Sequence, residues 1–205
     1  MKQVNLEYIF ENLKSGDMIG FHYSKWYYVF AKIIGIFTQN KNRLKIEHLG
    51  ICYNVAESDK ELSFNFGEQL TSTGRTNSKI IIKYDELTKI YFVLRDAKKI
   101  THLFANKITF YLLENKNRLS KSQNSIIADY FNSTEKYNVA SAIASVPFFE
   151  KIFKIKDKNK DNYCSGAVHT ALKQAGIGLD IKDTLPSPAE LSQFNYVNQI
   201  FKIDV

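Results

Sequence analysis

Asn162-Tyr163-Cys164-Ser165-Gly166-Ala167-Val168-His169-Thr170-Ala171-Leu172-Lys173-Gln174-Ala175-Gly176 leaves a polar, charged loop and turns into a short amphipathic helix. Ala167, Val168, Ala171, Leu172 and Ala175 recur at the three-and-four spacing of a helix face packed on a core. Gly176 is placed to stop that helix. Cys164 therefore stands at or just before the first turn. Unpaired backbone N–H groups and the positive end of the helix dipole gather there. Such a place favours a thiolate, so Cys164 is a candidate nucleophile as well as a small buried apolar residue.

Working outward, the elements before this helix are mostly strands. Val4 to Leu13 reads as a first helix, Lys14 to Asp17 as a turn, and Met18 to Tyr23 as a strand. Lys25 to Phe37 carries a helical apolar pattern. Glu47 to Asn54, Glu61 to Gln69, Lys79 to Tyr84 and Ile90 to Arg95 read as strands, Glu61 to Gln69 by its clean alternation of Leu62, Phe64 and Phe66 with polar or small residues. Thr101 to Glu114 shows a stripe of Leu103, Phe104, Ile108, Tyr111 and Leu112 and is expected to be an amphipathic helix. Gln123 to Phe131 and Tyr137 to Val146 are expected to be helical too. Ser187 is set to cap a turn that Pro188 begins, and Asn195 to Ile203 reads as a last strand. The expected fold class is α+β, an antiparallel sheet packed against helices. The expectation is one domain over 1–205, with a helical embellishment at about 101–150.

Composition narrows the function. The chain has 205 residues, 44% of them hydrophobic, enough for a sizeable core. Its net charge of +7 comes mostly from scattered lysines. The run from Lys151 to Lys160 could draw an anionic polymer or a membrane surface. No arginine-rich arm or nucleic-acid motif accompanies it, so no specific nucleic acid is expected. Two cysteines, Cys52 and Cys164, make no disulfide framework. His22, His48, His102 and His169 are too scattered for a local zinc motif, and no cofactor is expected. Met1 to Glu7 holds no apolar signal core. Trp26 to Phe37 is too short to span a bilayer and contains Lys32. A cytoplasmic or phage-delivered protein is the expectation.

A thiol hydrolase needs a base and a group to orient it. His48, in Glu47-His48-Leu49-Gly50-Ile51, is the candidate base. On the neighbouring strand, Glu68 and Asn65 are the candidates for the orienting group, because adjacent strands bring side chains about 5 Å apart. His169 falls about 140° round the helix from Cys164 and suits a surface role. His22 and His102 show no partner pattern. Cys52 reads as inert packing.

These residues resemble the motifs of NlpC-like papain-fold cysteine hydrolases. Gly16-Asp17 followed by Met18-Ile19-Gly20-Phe21 resembles their Gly-Asp strand start. His48-Leu49-Gly50-Ile51 resembles their His-x-Gly-Ile strand, and Tyr163-Cys164-Ser165-Gly166 their Cys-Ser helix start. Pro186-Ser187-Pro188-Ala189-Glu190-Leu191 resembles the Thr-Pro-x-x-Leu segment that trails it. His48 precedes Cys164, which resembles the circularly permuted branch, the YiiX-like proteins and the lecithin retinol acyltransferase relatives. The resemblance implies a permuted papain-like fold, Cys164 as nucleophile, His48 as base, and a polar third residue that favours Glu68 over Asn65. It implies peptidoglycan peptide amides as substrate first, and lipid or acyl-amide bonds second. One departure stands out: the usual Cys-Ser-Glu reads Cys164-Ser165-Gly166. The competing expectation is a papain-like module kept for binding or structure, for instance in a phage particle.

Overall fold

The computed structural model describes residues 1–23, 46–70, 74–95, 103–104, 108–136, 164–177, 186, 188–192 and 194–204. Eight strands form one sheet: β1 (Gln3–Val4), β2 (Met18–Tyr23), β3 (His48–Glu57), β4 (Glu61–Leu70), β5 (Gly74–Asp85), β6 (Ile90–Arg95), β7 (Ile108–Asn115) and β8 (Val197–Ile203). Their order across the sheet is β1-β8-β7-β2-β3-β4-β5-β6. Every pairing is antiparallel except β1 with β8. Among the described residues four helices accompany it: α1 (Leu6–Asn12), α2 (Lys121–Asn132), α3 (Cys164–Gln174) and α4 (Pro188–Leu191). The fold is α+β. Among the described residues no helix is long and apolar enough to cross a membrane.

The sheet buries both faces, and strand alternation divides the apolar residues between them. One face carries Ile19, Phe21, Cys52, Phe64, Phe66, Ile80, Ile82, Phe110 and Leu112. The other carries Met18, Leu49, Ile51 and Leu113, covered by Ile127 and Phe131 of α2 and by Ala167, Val168, Ala171 and Leu172 of α3. Helix α1 joins the two ends of a curled sheet. Its Phe10 ring meets Tyr91 of β6 at 5.2 Å, and its Tyr8 ring meets Phe201 of β8 at 4.9 Å. Asn5 caps α1 by accepting from the backbone N–H of Tyr8 at 3.0 Å, so the helix begins at Leu6 and Val4 joins β1 instead.

One sequence expectation is overturned. The segment from Thr101 to Glu114, expected to be a helix, holds strand β7 from Ile108. It sits between β2 and β8 and pairs with both. Phe110 and Leu112 enter one core while Tyr111 and Leu113 enter the other. A strand buried on both faces is apolar at nearly every position, and such a run also satisfies a helical stripe. The stretch expected as a helical embellishment, 101–150, thus supplies a central strand as well as α2. The expected helices at 25–37 and 137–146 lie outside the described residues, as does Ser187.

Two glycines fix local geometry. Gly176, at φ +70°, ends α3 with paired bonds from Gly176 N–H to Lys173 O and from Ile177 N–H to Leu172 O, a Schellman closure. At Gly50 on β3, an added Cβ would collide with Cζ of Phe66. The Phe66 ring, fully buried, lies over that glycine. Gly50→Ala must displace it, and we expect a loss of about 1–3 kcal/mol from overpacking, read as a lower midpoint in urea unfolding.

Candidate active site

Strand β3 begins at His48, and β4 returns beside it in a register that sets Gly50 opposite Glu68. His48 is two residues from Gly50, so its side chain shares a face with that of Glu68 as a diagonal neighbour. The two meet: His48 Nε2–H donates to Glu68 Oε2 at 2.8 Å. Glu68 is fully buried and His48 is 7% exposed. The Phe21 ring stands edge-on to the imidazole at 5.0 Å. On the other side His48 is hydrogen-bonded to the side chain of Cys164. With Nε2 committed to Glu68, Nδ1 is the nitrogen that faces the sulfur.

Cys164 is the first residue of α3 and is 5% exposed. The start of α3 is pinned by Ser165, whose Oγ–H donates to the carbonyl of Pro186 at 2.7 Å. That bond ties the Cys-Ser helix start to the Pro186–Leu191 segment, two stretches the sequence had linked only by resemblance. Leu191, fully buried, packs in the same core as α3.

The electrostatics follow from this arrangement. Burial alone would push the His48 imidazole down. The hydrogen bond to Cys164, then that to Glu68, with the negative charge each partner can carry, outweigh burial and raise its pKa to about 10. Cys52 is the opposite case. It is fully buried, and burial with the nearby Asp17 charge pushes its thiol well up.

Of the sequence candidates, the structure brings Cys164, His48 and Glu68 together. Asn65 pairs across from Tyr53 instead, three residues earlier on β4. His169 is partly buried along α3. His102 and the run from Lys151 to Lys160 lie outside the described residues. His22, which showed no partner pattern in the sequence, bonds through Nδ1 to Glu47 Oε2 at 3.1 Å. That pair joins the ends of β2 and β3, and only the strand pairing makes it visible.

The Gly16-Asp17 motif holds the sheet together nearby. The Asp17 carboxylate accepts from the backbone N–H of Asn115 at 2.7 Å and from that of Lys14 at 2.9 Å. Its own carbonyl accepts from Cys52 N–H, while Gly16 N–H donates to Cys52 O. One residue therefore joins β2, β3 and β7. The sequence marked it as a turn, and its role as a clamp was not foreseen.

No protein-family model matches the chain, and no curated protein matches it.

Proposed function

We propose that the protein is a cysteine-dependent amide or ester hydrolase with Cys164 as nucleophile, His48 as base and Glu68 as the residue that orients the base. One observation carries the reading: a single imidazole bonded on one side to a helix-start thiol and on the other to a fully buried carboxylate at 2.8 Å. The order of motifs along the chain further supports a permuted papain-like architecture, with His48 on a strand ahead of the Cys164 helix.

The chemistry proceeds by acyl transfer. His48 Nδ1 holds the proton given up by the thiol, and the Cys164 sulfur attacks the carbonyl carbon of the substrate. The oxyanion that forms lies toward the first-turn N–H groups of α3, which have no partner within the helix. His48 returns the proton to the leaving amine or alcohol, and a thioester remains on Cys164. Water, deprotonated by the same imidazole, then attacks the thioester and frees the acid. Glu68 fixes the ring so that Nδ1 stays toward the sulfur, and it balances the imidazolium charge. The first substrate class we assign is peptidoglycan stem-peptide amides, from the motif resemblance and from a net charge of +7 that suits an anionic wall polymer.

The test is capture of the acyl-enzyme. Incubation with p-nitrophenyl acetate followed by rapid acid quench is expected to leave one acetyl group on the peptide that contains Cys164. Cys164→Ala should carry none and release no nitrophenol above the buffer rate. An acetyl group on a different residue, or undiminished release by Cys164→Ala, would remove Cys164 from the mechanism.

A further inference from the structure

Two buried polar atoms beside the site have no hydrogen-bond partner among the described residues. Glu68 gives Oε2 to His48, but its second oxygen, Oε1, meets no donor. Ser78 Oγ on β5, in a residue 1% exposed, meets neither donor nor acceptor. The strand register relates the two. Glu68 lies opposite Thr76 and Phe66 lies opposite Ser78, so Glu68 and Ser78 are diagonal neighbours on one face of the β4–β5 pair. Diagonal neighbours stand roughly 7 Å apart. Thr76, the direct neighbour, turns its hydroxyl to the Glu68 backbone carbonyl at 3.4 Å.

We propose that Ser78 is a positioning residue for the Cys164–His48–Glu68 site. Its hydroxyl holds one buried water, and that water donates a hydrogen bond to Glu68 Oε1. A buried acceptor and a buried hydroxyl, each costly when left alone, satisfy each other through the bridge. The consequence reaches the imidazole. With Oε1 anchored toward β5, the carboxylate cannot rotate about its last torsion, and Oε2 stays on His48 Nε2. The Phe66 ring, seated over Gly50, lies on the β3 side of this pair. The inference rests on the catalytic reading of the site, but its main readouts need no substrate.

The first readout is the His48 Nε2–H proton resonance, assigned by its loss in His48→Gln. Ser78→Ala is expected to shift that resonance and to lower kcat about 5-fold with KM unchanged, the pattern of an interaction that matters only in the transition state. Ser78→Thr, which keeps the hydroxyl, is expected to restore both. A resonance and kcat in Ser78→Ala that coincide with the wild type would overturn the proposal. So would a fall in kcat with the resonance unmoved, which is the mark of a merely structural effect. The second readout is a high-resolution crystal structure of the wild type. One water within hydrogen-bond distance of both Ser78 Oγ and Glu68 Oε1 is expected, and a protein donor on Oε1 contradicts it. A wild type with no turnover but with a resonance that still moves in Ser78→Ala would defeat the hydrolase reading and leave this one standing.

Discussion

Cys164→Ala is expected to lower kcat/KM by on the order of 10⁴-fold or more, because the proposed covalent route is lost with the sulfur. His48→Ala is expected to lower it by about 10²–10⁴-fold, the usual range for a general base. Glu68→Gln is expected to have the smallest effect of the three. The imidazole keeps its place on β3 and an amide oxygen as acceptor, and loses the charge that balances it. The three residues act as one unit, so their effects do not add. The Cys164→Ala/His48→Ala double variant should be no slower than Cys164→Ala alone. Steady-state kinetics on one activated ester measures all four proteins. A double variant that is markedly slower than either single variant would mean that the two side chains work apart, against the shared bond between them.

The largest stability effect is expected at Asp17. The residue is fully buried, and its carboxylate accepts two backbone N–H bonds that no other group replaces in Asp17→Ala. Each orphaned buried donor costs about 1–3 kcal/mol, so the variant should lose roughly 2–5 kcal/mol. The loss depends on pH. Burial raises the Asp17 pKa from 3.8 to about 7, opposed in part by the N–H bonds from Asn115 and Lys14 and by the charge of Lys14. A carboxyl whose folded pKa lies above its unfolded value stabilises the fold fully below the unfolded pKa, and that contribution is lost as pH rises through the folded pKa. The window is therefore pH 3.8 to about 7, and the contribution lost across it is at most about 4 kcal/mol. The gap between Asp17→Ala and the wild type should thus be wider at pH 5 than at pH 8. Urea unfolding at the two pH values measures it. A gap that widens toward pH 8 would contradict the assignment.

The site was more legible in the sequence than the sheet that holds it. Cys164 announced itself by an apolar helix pattern that starts directly after it, and His48 by a strand with a glycine two residues on. Glu68 followed from the expectation that the next strand lies alongside, and the register opposite Gly50 separates it from Asn65. What the sequence hid depends on contacts between distant segments. Strand β7 looked helical because both of its faces are buried, which erases the alternation that marks a half-exposed strand. Asp17 looked like a turn residue because its partner, the N–H of Asn115, is far away in the chain. His22 and Glu47 are likewise brought together only when β2 and β3 pair. Ser78 carries no signal of its own, being one small polar residue on a strand expected to start after it.

The most direct test of the Cys164–His48 pair compares two thiols in one protein. The wild type is treated with iodoacetamide at pH 7, and alkylation of Cys164 and Cys52 is followed by peptide mass spectrometry beside His48→Ala. Cys164 is expected to react rapidly while Cys52, fully buried and with its thiol pushed well up, stays unmodified. His48→Ala should slow Cys164 toward the rate of an ordinary thiol. Alkylation of Cys164 that is slow in the wild type, or that proceeds at the same rate without His48, would contradict the account.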